Sequence, residues 1–156
     1  MAADGYSRVT GNIGVAISTS GPGATNLITG ICCSYYDSVP LIVITGQVST
    51  FRMAGESGVR QIGFQETPIV SITKEITKYS KTIINPNEIR YELEKAFFLA
   101  TDGRPGPVLI DVPDNLQREF IDVSDLKGFD KDDSYDFSKL FPNTKNNLKI
   151  LIEYLK

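Results

Sequence analysis

The sequence predicts an open, parallel α/β sheet with flanking helices, and three observations carry that reading. Leu41-Ile42-Val43-Ile44-Thr45 and Val108-Leu109-Ile110-Asp111-Val112 are apolar runs without polar alternation, the pattern of parallel strands covered on both faces. Between such runs lie segments with apolar residues at helical spacing, so strands and helices alternate. The run Ser20-Gly21-Pro22-Gly23-Ala24-Thr25-Asn26 joins a strand-like segment to a helix-like one. Open parallel sheets bind ligands beyond the carboxyl ends of their strands, where this turn would sit. With 156 residues the chain suffices for one domain with its own core and is short for two.

Each element follows from local chemistry. Ala2 to Val9 reads as the end of a helix stopped by Thr10-Gly11-Asn12, and Gly14 to Thr19 as a short buried strand. A helix is expected from Ala24 to Ser38, with Leu27, Ile28, Ile31 and Tyr35 on its core stripe. Cys32 and Cys33 fall within it; adjacent helical cysteines point apart, so they read as small core hydrophobes rather than a disulfide. Val39-Pro40 ends the helix ahead of the strand from Leu41. Gly46 to Gly63 is a polar, glycine-rich loop without periodicity, long enough in a compact domain to suggest function or mobility.

Thr67-Pro68 has the form of a cap followed by a proline at the first helical position, starting a short helix over Ile69 to Thr73. Lys78 to Ile84 reads as a strand. Asn85-Pro86-Asn87-Glu88 carries a capping Asn, a proline and a Glu at capping-box spacing. In the helix that follows, Ile89, Leu93, Ala96, Phe97 and Ala100 form the expected core stripe, and Gly103 closes it. Residues 1–121 therefore read as the domain, the Asp/Lys-rich stretch 122–142 as a linker, and 143–156 as the start of a further amphipathic helix.

Composition excludes several function classes. The net charge is −3 from 16 basic and 19 acidic residues, with no basic block, which disfavours a nucleic-acid partner. No apolar run is long enough to span a bilayer, and the basic-then-apolar order of a signal peptide is lacking, so a cytoplasmic setting without a membrane partner is expected. The chain has no histidine, which rules out a Ser-His or Cys-His nucleophile pair within it and removes the commonest zinc ligand. No metal-ligating residue is assigned.

The glycine turn has the geometry to approach a ligand closely, because no Cβ stands in the way. It lacks the Gly-Lys-Ser/Thr ending of a nucleoside-triphosphate loop and is not GxGxxG, which weakens both nucleotide readings. Taken singly, Gln65 and Glu66 read as surface groups, Arg52 and Arg60 as solvated loop charges, and Asp111 as a strand-end carboxylate satisfying nearby backbone.

Taken together, the segments say more. Ala3-Asp4-Gly5-Tyr6-Ser7-Arg8, the block from Ser18 to Asn26, the block from Asp37 to Gln47, Phe64-Gln65-Glu66-Thr67 and the block from Gly103 to Pro113 resemble, in this order, one family. It is the thiamine diphosphate-dependent enzymes of the acetolactate synthase type, over the N-terminal pyrimidine-binding domain of the large subunit. The resemblance covers roughly Ala2 to Gln117. It implies a Rossmann-like partial domain in which Gly21, Pro22, Gly23 and Asn26 bind the cofactor while Phe64 and Gln65 line its substrate side, and Asn143 to Lys156 resembles the start of the family's middle domain.

The parent enzyme implied is a carboligase that decarboxylates a 2-keto acid and transfers the acyl-anion equivalent to a second carbonyl. Its cofactor is thiamine diphosphate with Mg²⁺, the Mg²⁺ ligands lying outside this chain, and FAD is left open. A homodimer or tetramer with the site at the subunit interface is implied as well. The family's pyrimidine-contacting glutamate is expected a few residues before Met1, so these residues are expected to supply half of a site, to hold no catalytic residue and to be inactive alone. Asp114 stands where biosynthetic members carry a lysine, and the segment between Gln47 and Phe64 is longer than theirs. Both features leave the choice between amino-acid and surface-sugar biosynthesis open. The alternatives are a non-catalytic module binding thiamine diphosphate or a nucleotide, and an assembly domain.

Overall fold

The two long apolar runs pair with each other. In the computed structural model, which describes residues 1–131 and 152–154, β2 (Leu41–Gln47) and β4 (Pro107–Pro113) lie parallel, with Leu41 opposite Pro107 and Gln47 opposite Pro113. β1 (Gly14–Ser18) pairs with the outer side of β2, and β3 (Tyr79–Thr82) with the outer side of β4. All three pairings are parallel, in the order β1-β2-β4-β3. The open parallel sheet expected from the sequence is the observed one.

Strand alternation sends side chains to opposite faces. Ile42, Val108 and Ile110 meet Ala96, Leu99 and Ala100 of α5 (Ile89–Thr101) on one face. Leu41, Val43 and Leu109 meet Ile31 of α3 (Ile28–Tyr36) and Ile69 of α4 (Ile69–Thr73) on the other. α1 (Ala2–Thr10) docks through Ser7, whose hydroxyl accepts the Gly14 N–H at 2.7 Å and donates to the Pro40 carbonyl at 2.8 Å. Its approach demands glycine at position 14, because a Cβ there would lie 2.0 Å from the Ala3 carbonyl oxygen.

Several local expectations are corrected. The single helix expected over Ala24 to Ser38 is two, α2 (Pro22–Thr25) and α3, because the ladder tightens from Asn26 N–H···O Pro22 to Leu27 N–H···O Ala24 and the first helix ends there. Cys32 and Cys33 are half-buried rather than core residues. Thr67 does not cap α4; Pro68 occupies the cap position, with no side-chain bond. Asn85 does cap the turn that leads into α5, accepting the Asn87 N–H at 3.0 Å, but Glu88 pairs with Lys81 at 3.0 Å instead of reaching back.

The buried face of α5 is Glu92, Ala96, Leu99 and Ala100, so Phe97, 61% exposed, and Leu93, also exposed, lie off the stripe. Glu92 is tolerated there because its carboxylate accepts the Tyr79 hydroxyl at 2.7 Å and pairs with Lys81 at 2.7 Å.

The start of the stretch expected as a linker lies along α5. Leu126 is buried, the Phe129 ring stands 5.5 Å from those of Tyr91 and Phe98, and the Phe129 N–H donates to Glu94 at 2.7 Å. Of the helix expected over 143–156, only residues 152–154 are among those described, and they are helical.

Candidate cofactor-binding site

Beyond the carboxyl ends of β1, β2 and β4 the structure opens into a cleft of about 760 Å³. Its lining includes Ile17, Ser20, Gln47, Arg52, Phe64 and Asp114. β1 borders it as an edge strand, and Ile17 is 76% exposed.

The glycine turn is built against the chain's own packing. Gly21 adopts φ +60° and ψ −127°, a region open to glycine and costly for other residues. A Cβ on Gly21 would lie 2.7 Å from the Gln65 Cβ and 3.1 Å from its carbonyl oxygen. One on Gly23 would lie 2.7 Å from Thr19 Cγ2 and 2.8 Å from Ser18 Oγ. Gly21 is therefore held by the chain's own packing, backbone included, while the close neighbours of Gly23 are the side-chain ends of Thr19 and Ser18. The exposed side of the turn belongs to Pro22 and Asn26, which lie one helical turn apart, with Asn26 N–H bonded to the Pro22 carbonyl at 3.0 Å. Asn26 also borders a smaller pocket of about 110 Å³ shared with Leu27 and Gly30, outside the main cleft.

Phe64 and Gln65 divide their work. Phe64 is 86% exposed and lines the cleft. Gln65 is half-buried over Gly21 and itself takes a positive φ of 63°, an unfavourable conformation for a residue with a Cβ. Two segments that are remote in sequence, the turn and Phe64-Gln65, thus meet backbone to side chain.

A polar row, buried at Thr45 and Asp111 and half-buried at Ser18 and Thr82, crosses the sheet. Ser18, Thr45, Asp111 and Thr82 stand in register across the four strands. Asp111, 1% exposed, accepts the Thr45 hydroxyl at 2.7 Å, the Gln47 amide at 3.0 Å and the Thr82 hydroxyl at 3.2 Å. Burial pushes its carboxyl up from the ordinary aspartate value, against these donors. Its partners are side chains of neighbouring strands and not backbone, contrary to the sequence reading.

Gln47 carries the link onward. Its amide also donates to the Thr67 carbonyl at 2.8 Å, and its Oε1 accepts the Val48 N–H at 2.9 Å. The sheet thereby holds the Phe64–Thr67 segment. The sequence reading places Gln47 at the carboxyl end of its strand but assigns no role to it or to Thr45; their position at the ends of paired strands, two residues apart on one face, is the available signal.

Glu66 is no surface group. It is half-buried and accepts the Ala54 N–H at 2.5 Å and the Ile62 N–H at 2.9 Å. Arg52 and Arg60 are exposed; the Arg52 guanidinium stands 5.7 Å from the centre of the Phe51 ring and borders the cleft. Among the described residues no group of three or more His, Cys, Asp or Glu side chains could hold a metal ion. Among them also, no helix is long and apolar enough to cross a membrane.

Comparison with known proteins agrees with this architecture. Residues 1–77 match the family model described as thiamine pyrophosphate enzyme, N-terminal TPP binding domain. The chain is 52% identical over 119 residues to the acetolactate synthase, chloroplastic, of Arabidopsis thaliana, an overlap of 76% of this chain and 17% of that protein. It is 51% identical over 121 residues to acetolactate synthase 2, chloroplastic, of Nicotiana tabacum, covering 78% of this chain and 17% of the relative. Against acetolactate synthase 1, chloroplastic, of Oryza sativa subsp. japonica the identity is 48% over 119 residues, 76% of this chain and 18% of the relative. The matched segment thus spans less than a fifth of the length of these relatives. The chain belongs to the thiamine pyrophosphate enzymes, its first 77 residues forming part of the N-terminal TPP-binding domain and its sequence being of the acetolactate synthase type.

Proposed function

We propose that these residues form one wall of a thiamine diphosphate site in a carboligase that decarboxylates a 2-keto acid and transfers the acyl-anion equivalent to a second carbonyl. The observation that carries this reading is the packing of Gly21 against Gln65, which makes the turn and the Phe64 segment one continuous surface beside the cleft. The donor set fits an aminopyrimidine on one side only. Pro22 and Phe64 offer exposed apolar surface and Asn26 an exposed amide with both a donor and an acceptor. Nothing in the wall encloses a ring.

When bound, the cofactor supplies the electron sink for carbon–carbon chemistry. The residues of this chain act by position. Pro22 and Asn26 bind and orient the ring, Gln65 locks the turn, and Phe64 with Arg52 shapes the approach of a small anionic substrate. The diphosphate, its Mg²⁺ and a carboxylate acting on the ring are assigned to other parts of the parent enzyme, with a second copy of the chain across the interface. A cytoplasmic setting belongs to the same proposal. The curated relatives named above are acetolactate synthases, which favours acetolactate-type chemistry over the surface-sugar branch.

Calorimetric titration of the full-length natural protein with thiamine diphosphate in Mg²⁺ tests the reading. Asn26→Ala is expected to weaken binding by about tenfold, the loss of one well-placed hydrogen bond. Unchanged affinity, or saturable binding of a nucleoside diphosphate in place of thiamine diphosphate, would overturn it.

A further inference from the structure

One side chain fastens both arms of the loop that borders the cleft. Ala54 lies on the outgoing arm and Ile62 on the returning arm, and the Glu66 carboxylate accepts the backbone N–H of each. The arms meet again at a neck, where the Gly63 N–H donates to the Arg52 carbonyl at 2.9 Å. A Cβ on Gly63 would lie 2.9 Å from the Val48 side chain, so the neck is closed tightly. The outgoing arm is tied separately at its root, where the Thr50 N–H donates to Asn115 Oδ1 at 2.9 Å.

Glu66 also follows Gln65, which covers Gly21, and the outgoing arm carries Ser49 and Arg52 into the lining of the cleft. The same short segment therefore touches the glycine turn on one side and the loop wall on the other. Burial pushes the Glu66 carboxyl up, and the backbone donors of Ile62, Ala54 and Gly63 together outweigh it, holding the carboxyl below the ordinary glutamate range. At neutral pH the group is an acceptor only, matched to its N–H partners.

We propose that Glu66 is a positioning residue, a clasp that keeps the loop from Val48 to Gly63 closed and so sets the cleft wall that Ser49 and Arg52 form. The clasp itself stands on geometry alone; its consequence for substrate rests on the functional reading given above. Arg52 and Ser49 would meet a bound 2-keto acid equally in its ground and transition states, so a loosened wall lowers affinity and spares turnover.

Hydrogen exchange read by mass spectrometry, together with steady-state kinetics on the full-length natural protein, tests this. Glu66→Gln keeps the shape and turns one acceptor oxygen into a donor facing an N–H. Exchange over residues 53–63 is expected to rise about tenfold with β2 and β4 unaffected. KM for the 2-keto acid is expected to rise several-fold, with kcat within about twofold. Glu66→Asp keeps the charge and is expected to recover part of the loop protection.

Unchanged loop exchange in Glu66→Gln overturns the clasp. Exchange rising equally throughout the sheet overturns it as well, since that marks a general loss of structure. A loosened loop with unchanged KM overturns the positioning role. A wild-type protein that fails to bind thiamine diphosphate defeats the functional reading alone, because the exchange measurement needs no ligand and still decides the clasp.

Discussion

Gly21 holds a backbone conformation that other residues reach only at a cost, and it does so against the side chain of Gln65. An alanine there meets two penalties at once, the torsional cost of φ +60° and a Cβ 2.7 Å from another carbon. Gly21→Ala is therefore expected to destabilise the domain by about 2–3 kcal/mol, read from the midpoint of denaturant unfolding at constant slope. A change within 0.5 kcal/mol, the ordinary range for surface sites, would show that the turn relaxes freely. The sequence marked this residue, but for a different reason. Glycines in a strand-to-helix turn signal a close approach, and which neighbour approaches is set by a segment more than forty positions away. Asp111 and Glu66 teach the same lesson. Each looked like an isolated carboxylate, and each is defined by donors brought from elsewhere.

At the scale of elements, α1 shows how charge fastens one helix to the end of another, α3. Asp4 is buried and takes a forked hydrogen bond from Arg8, at 2.7 and 3.1 Å to its two oxygens, while Arg8 also reaches Asp37 at 2.6 Å. The Arg8 hydrogen bond, working against burial, holds the Asp4 carboxyl below its ordinary value of 3.8. A carboxyl whose pKa falls on folding contributes stability that is fully present above the ordinary value and is lost as pH falls through the folded one. Docking of α1 is therefore expected to weaken below about pH 4. Acid titration followed by hydrogen exchange over residues 2–10 reads this, and Asp4→Asn should remove the pH dependence while costing stability at neutral pH.

The core stripe of α5 was legible in part. Ala96 and Ala100 were placed correctly, but Glu92 was passed over and Phe97 turned outward. A carboxylate enters a buried stripe only when Tyr79 and Lys81 from β3 meet it, and periodicity alone does not record such partners.

Among the described residues the molecule is a four-stranded parallel sheet with β1 at one edge and a cleft beyond the carboxyl ends of its strands. A thiamine diphosphate site of the proposed kind needs an opposite wall, an anchored diphosphate and a carboxylate on the ring. The polypeptide 1–156 by itself is accordingly expected to show no carboligase or decarboxylase turnover with thiamine diphosphate, Mg²⁺ and a 2-keto acid. Acetolactate or carbon dioxide release above the enzyme-free rate would overturn this.

The sequence by itself determined the fold class and the family. Apolar runs of strand length, helical stripes between them and ordered motif blocks are local or collinear properties, and a chain displays them without folding. Only the tertiary structure decided which polar residues act together. Register across three strands aligned Thr45, Asp111 and Thr82, and the return of the chain brought Gln65 over Gly21 and Glu66 between the arms of its loop. Hydrogen bonding and close packing act over a few ångströms in space, so their partners exist only once distant parts of the chain have been brought together.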